Sequence, residues 1–237
     1  MEWPLDSLDA VGFDLDYTLW DQEAFIRTFF DAIAVEFGRR LGWGGPHMAR
    51  ICRDTLLRIG PAHPRLFDQV LQQLGAWDPR LVAELVQRYR RHRPPVQPYP
   101  DALPALRRLR EAGMRLFLVT DGHAPVQRYK AEALGLVPWF DQMVFTGDFA
   151  EERRKPSPFP FRLACARMGV DPGRCAYVGD NPACDVPGPR SLGMLTVGVA
   201  TGPFAAAGAP GPAPHLRLGA LGELAGLLAG APARSAP

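Results

Sequence analysis

With 237 residues, 47% of them hydrophobic, the chain can form one or two domains around a sizeable core. Its 27 basic and 25 acidic residues are interspersed and leave a formal charge of +2, which argues against the basic face that a nucleic-acid surface needs. No run of about 18 apolar residues occurs, so no membrane span is expected; MEWPLDSLDA, with its early acid and broken apolar pattern, does not read as a secretory leader, and a cytoplasmic location is the expectation.

In chain order, residues 9–15, which lead into VGFDLDYTLW (11–20), read first, as a strand. Alternate residues of an extended chain point the same way, so Asp14 and Asp16 aim at one spot beyond it. Two carboxylates there repel, and one pKa rises unless a cation lies between them. On this stretch alone, a strand ending in two solvated acids is an equal alternative. Phe25, Phe29, Ile33, Phe37 and Leu41 then recur every fourth residue, the apolar face of a helix that Gly42 ends. Further helical patterns are HMARICRDTLLRIG, RLFDQVLQQLG and DPRLVAELVQRYRRH, the last with Asp78 as N-cap and Pro79 at its first position. The basic stretch RYRRHR (88–93) closes that helix, where positive charge suits the helix dipole.

After the proline-stiffened linker RPPVQPYPD (93–101) the rhythm changes. A helix (102–112), strand (114–120), helix (124–135), strand (142–147), helix (158–168), strand (175–179), helix (183–192) and strand (195–199) follow. Alternation of this kind implies an α/β fold: a Rossmann-like parallel sheet with helices on both faces. Residues 1–20 and 94–237 form that core, interrupted by an all-helical block at 21–93. In the Ala-, Gly- and Pro-rich tail, LGELAGLLA (221–229) predicts one covering helix, and the last eight residues are expected to be disordered.

In such a sheet ligands bind beyond the C-terminal ends of the strands. Those ends carry Asp14, Asp16 and Thr18; then Thr120, Asp121 and Gly122; then Lys155 in RRKPSPFPF; then Asp180, with Asp185 five residues on. Each alone is an ordinary turn, but together they place acids, a hydroxyl and a lysine on one rim. Carboxylates without histidine or paired cysteines suit a hard cation, Mg²⁺, which also binds substrate phosphate. Thr120, the amide after it and Lys155 supply donors and charge for phosphate oxygens, and a carboxylate beside Mg²⁺ suits an aspartyl-phosphate intermediate. Cys52, Cys165, Cys175 and Cys184 show neither metal-ligand spacing nor the density of a disulfide scaffold; the first three read as buried thiols and Cys184 as a loop thiol of open reactivity.

At these positions the chain resembles the haloacid dehalogenase-like hydrolase superfamily. DLDYT is similar to its Asp-x-Asp-x-Thr motif, TDG to the second, Lys155 in KPSP to the third and GDNPACD to the fourth. The block at 21–93 resembles the family's first-position helical cap. The resemblance implies that Asp14 attacks phosphorus and that Asp16 protonates the leaving oxygen and then deprotonates water. It implies Mg²⁺ on the Asp14 carboxylate, the Asp16 backbone carbonyl and Asp180. Asp185 would steady the metal's waters or Lys155, Thr18 would close the first motif, Thr120 would grip phosphate, and Lys155 would neutralise the nucleophile. Asp121 stands where many members have Asn, so only its backbone amide is assigned to phosphate.

The implied activity is Mg²⁺-dependent hydrolysis of a small phosphorylated metabolite, of the phosphoglycolate, nucleotide or sugar phosphate class. A closing cap would exclude water and bulky substrates. Asp16 argues against a 2-haloacid dehalogenase, whose halide leaves without a proton; a phosphomutase or a non-catalytic scaffold stays open. Tyr17 and Trp20 beside the first motif are candidate substrate contacts, though such aromatics more often pack under the hinge, and Arg27, His47 and His63 of the block are candidates at positions that are more often solvated. The expected partner is the small metabolite, with no nucleic acid or membrane, and the chain as monomer or homodimer.

Overall fold

The computed structural model of the chain describes residues 8–60, 63–205 and 209–228. These fall into two units, one running to Asp21 and resuming at Gln97, the other comprising Gln22–Val96. In chain order the elements are β1 (Ala10–Phe13), α1 (Gln22–Arg40), α2 (Gly45–Ile59), α3 (Leu66–Gln73), α4 (Pro79–Arg91), α5 (Ala102–Glu111), β2 (Arg115–Thr120), α6 (Ala124–Ala133), β3 (Gln142–Phe145), α7 (Phe159–Met168), β4 (Cys175–Gly179), α8 (Pro182–Asp185), α9 (Pro187–Ser191), β5 (Leu195–Val199), β6 (Leu216–Leu218) and α10 (Leu221–Leu228), with short 3-10 turns between some of them.

The strands AVGF, RLFLVT, CAYVG and LTVGV are near-continuous apolar runs, as strands covered on both faces require. They build a sheet of order β3-β2-β1-β4-β5-β6 in which every pair is parallel. On one face Phe117, Val119, Val144 and Tyr177 pack with Phe161 and Ala164 of α7. Each large apolar side chain buried there contributes about 1.5–3 kcal/mol, so this layer is a main source of the unit's stability. The strand order reverses between β1 and β4, which opens a crevice at their C-terminal ends. Phe13 pairs with Leu118 on one side and Val178 on the other, so the three strands end within two residues of one another.

Three departures from the sequence reading have local causes. β1 ends at Phe13: the Asp14 amide still donates to the Val178 carbonyl at 2.9 Å, but the chain then turns, with Tyr17 at φ 58°. The helix expected over 183–192 is split into α8 and α9 at Pro187, whose ring removes a helix donor. β6 was not expected, because LRL is too short to show an alternating pattern; it forms by pairing with β5. The tail helix is present as α10, packed on α5. The last eight residues lie outside the described ones.

In the helical unit Phe29, Ile33 and Phe37 of α1 pack with Met48, Cys52 and Leu56 of α2, Val70 of α3 and Leu85 of α4, while Leu41 falls just past the end of α1 and packs at the edge. The Asp78 carboxylate caps α4 by accepting the Arg80 amide at 2.7 Å, and Pro79 starts the helix. Part of the basic stretch ties α4 to α1: Arg88 pairs with Glu36 at 2.6 Å, and Arg40 with Glu84 at 2.6 Å. Among the described residues, no helix is long and apolar enough to cross a membrane.

Candidate active site

The crevice between β1 and β4 receives Asp14 from one strand end and Asp180 from the other. Asp14 lies 2.9 Å from the Lys155 ammonium, which also donates to Asp185 at 2.7 Å. The second oxygen of Asp185 accepts the Asn181 amide at 3.0 Å, so the α8 turn folds back against the end of β4. Gly179 makes that approach possible, since a Cβ there would lie 2.3 Å from the Asp185 carboxylate. The carboxylates of Asp14, Asp180 and Asp185 are all buried, with one oxygen of each within 4.8 Å of the others. Asp16 contributes no carboxylate to this cluster, which corrects the strand-alternation reading that aimed it at the same spot as Asp14; the resemblance alone had assigned its backbone carbonyl there.

Burial pushes the Asp180 carboxyl up to about 9, and the charges of Asp14 and Asp185 add to the effect. Burial likewise pushes Asp14 up to about 7, against the pull of Lys155 and with the repulsion of Asp185 and Asp16. Burial also works against charge on Lys155, but Asp14 and Asp185 outweigh it and hold the ammonium well above its ordinary range. One Asp180 oxygen, Oδ2, is buried with no hydrogen-bond partner. Ionised together, the three carboxylates would face one ammonium and lack two positive charges, and every offered ligand atom is oxygen. A hard divalent cation fits that donor set and would engage the orphaned oxygen.

Asp16 is held by a different cation. The ammonium of Lys130 on α6 donates to both of its oxygens, at 2.8 and 3.0 Å. The Trp20 indole donates to Oδ1 at 2.9 Å and the Gln127 amide to Oδ2 at 2.9 Å. The two acids expected to share one spot therefore sit on separate lysines, because the chain turns directly after Asp14. Thr18 is buried, and its hydroxyl has no hydrogen-bond partner among the described residues.

At the end of β2, the Thr120 hydroxyl accepts from Gln127 at 2.7 Å. The Asp121 side chain turns to the Thr146 hydroxyl, which donates to it, and to the Lys155 amide at 3.3 Å, so it braces two loops. Gly122 adopts φ 119°, left-handed backbone that favours glycine.

The other candidates are engaged locally. Tyr17 and Trp20 are buried, and Trp20 serves Asp16 rather than an open surface. Within the helical unit Arg27 pairs with Glu23, His47 stacks on Trp43 at 5.1 Å, and His63 accepts the Arg65 amide at 3.2 Å. Burial raises the Cys184 thiol to about 11, which leaves it protonated at neutral pH; the other three cysteines are free and buried. Sequence reasoning missed Lys130, Gln127 and Tyr177, whose hydroxyl lies 3.5 Å from the Lys155 ammonium. A signal for the first two existed: both fall on the buried face of α6 with Ala124 and Ala131, where apolar residues belong.

The sequence model of the haloacid dehalogenase-like hydrolase family matches residues 8–193. The chain is 34% identical over 203 residues to a glyceraldehyde 3-phosphate phosphatase of Methanopyrus kandleri, covering 83% of this chain and 86% of that one. It is 35% identical over 165 residues to a phosphoserine phosphatase of Thermus thermophilus, covering 70% and 64% respectively. Among solved structures it resembles a HAD phosphatase from Thermococcus onnurineus, with TM-score 0.64, 26% identity, and coverage of 94% of this chain and 99% of that one.

Proposed function

The chain belongs to the haloacid dehalogenase-like hydrolase family and is a phosphoric monoester hydrolase; from that premise we propose that it cleaves small phosphate monoesters through a phosphoryl group carried on Asp14, with Mg²⁺ as its metal. The observation that supports this most is the buried Asp14 nucleophile beside Lys155 and the unpartnered Asp180 oxygen, with Asp16 held apart from them. The carboxylates of Asp14 and Asp180 and the Asp16 carbonyl would hold the cation, with Asp185 bracing Lys155. Bound there, Mg²⁺ would supply positive charge to the carboxylates and to a phosphate oxygen.

Asp14 attacks phosphorus while the Thr120 hydroxyl and Lys155 hold the phosphoryl oxygens. Asp16 gives its proton to the ester oxygen as the P–O bond breaks, so an alcohol departs. The Asp16 carboxylate then takes a proton from a water whose oxygen bonds to phosphorus, which frees Asp14 and inorganic phosphate. Proton delivery by Asp16 favours ester cleavage over carbon–halogen cleavage, because halide leaves without a proton. Three-carbon phosphates, the substrates named for the two curated relatives, head the candidates, with phosphoglycolate, nucleotides and sugar phosphates behind them.

The test is phosphate release from a panel of such esters by the purified chain. Chelation should silence turnover and Mg²⁺ restore it, while Ca²⁺ should inhibit through its looser coordination. Asp14→Asn should abolish turnover with the fold intact. Turnover by that variant, or zinc dependence with indifference to Mg²⁺, would overturn the reading.

A further inference from the structure

Lys130 lies on the apolar face of α6, only 1% exposed, and a buried ammonium is tolerated only where it is paired. Its partner is Asp16, contacted through both oxygens, and it also lies 5.2 Å from the centre of the Trp20 ring, within reach of a cation–π attraction. Trp20 and Gln127 each donate to one oxygen of the same carboxylate. Since a carboxylate only accepts from an amide, the Gln127 NH₂ must face Asp16, and its other hydrogen is then directed to the Thr120 hydroxyl. The Thr120 hydrogen makes only a long contact, to the Asp121 carbonyl at 3.4 Å, which a phosphate oxygen would replace. A cation, an indole and an amide thus converge on one side chain of the site, and the amide joins it to the residue that would hold phosphate.

We propose that Lys130, with Trp20 and Gln127, is the positioning residue for Asp16: it holds this carboxylate beside the leaving oxygen and keeps it off the Asp14–Asp180–Asp185 cluster. The inference rests on the role of Asp16 given above. Asp14 has Lys155 and Asp16 has Lys130, so each acid has its own buried cation and the two cannot exchange places. Because the ammonium reaches both Asp16 oxygens, it keeps one contact while the other oxygen carries the proton. The Asp16 side chain is 16% exposed, which leaves one edge open to the ester.

Leaving-group dependence provides the test, since kcat/KM reports only the steps up to departure of the alcohol. Nitrophenolate leaves without a proton, whereas an alkoxide does not. Lys130→Met should lower kcat/KM for an alkyl phosphate such as glycerol 3-phosphate by about 10²–10³-fold, with KM little changed, and that for p-nitrophenyl phosphate by less than about tenfold. Lys130→Arg should recover part of the alkyl activity. Equal losses on both esters, or no loss, would overturn the proposal. Should Lys130→Met not fold, Trp20→Phe and Gln127→Leu carry the same comparison and the same criterion. Asp16→Asn measured alongside separates the two claims: its full activity on both esters would sink the role of Asp16 itself. Its selective loss on the alkyl ester with Lys130→Met unaffected would sink the positioning role alone.

Discussion

Asp180→Asn is expected to stabilise the metal-free protein and to remove its stabilisation by Mg²⁺. In the fold the Asp180 carboxyl is pushed up to about 9 from an ordinary 3.8, mainly by burial. The folded chain therefore keeps a proton that the unfolded chain gives up, so stability falls as pH rises through that window; the penalty is absent below the unfolded value and complete above the folded one. At neutral pH about three units of the window have been crossed, and at roughly 1.4 kcal/mol per unit the penalty is bounded at about 4 kcal/mol. Side-chain relaxation and water entry lower that bound, and about 1–2 kcal/mol, within the usual range for a single substitution, is the expected gain. Asparagine has the same shape and never ionises, so in EDTA the variant should melt about 2–8 °C higher for a chain of this size. With Mg²⁺ at 100 times its Kd the wild type should gain about 2.7 kcal/mol, and the variant much less. Melting curves followed by circular dichroism at about pH 5 and about pH 8, with EDTA or Mg²⁺, read both arms, and the variant's advantage in EDTA should shrink at the lower pH. A variant less stable than wild type in EDTA at the higher pH, or equally stabilised by Mg²⁺, would refute the electrostatic reasoning.

Lys155→Met leaves Asp14 and Asp185 without the ammonium at 2.9 and 2.7 Å, and should cost about 3–5 kcal/mol in a urea titration as well as turnover; unchanged stability would contradict the buried pairing. Removing the α4 cap by Asp78→Ala should cost about 1 kcal/mol, and a neutral result would mean that Pro79 alone starts the helix. Because burial raises the Cys184 thiol to about 11, its alkylation by iodoacetamide should run at least about 100-fold slower than that of a free cysteine. Rapid labelling at this position, followed by mass spectrometry of peptides, would show that the thiol is not desolvated.

How much was legible without coordinates follows from the range over which each feature is encoded. β4 and β5 stand at the predicted residues, and β2 within one, because apolar runs bounded by turn residues specify buried strands from within. The Asp78 cap and the four-residue apolar repeat of α1 are equally local. Asp14, Thr120 and Asp180 are legible as rim residues for the same reason: each directly follows such a run, and a parallel sheet puts those ends on one edge. β6 needed β5 as its template, and the split between α8 and α9 needed the proline to be weighed against the helical pattern. The partners of the two acids are legible in no local pattern. Lys130 lies 114 residues from Asp16, and Asp185 comes close to Lys155, 30 residues away, only because Gly179 admits the α8 turn. Residue order determines which side chains end a strand, but the cation each acid meets is decided by distance through space. In a desolvated crevice a few ångströms between charges separate a paired carboxylate from a protonated one, and only the packed sheet and α6 set those distances.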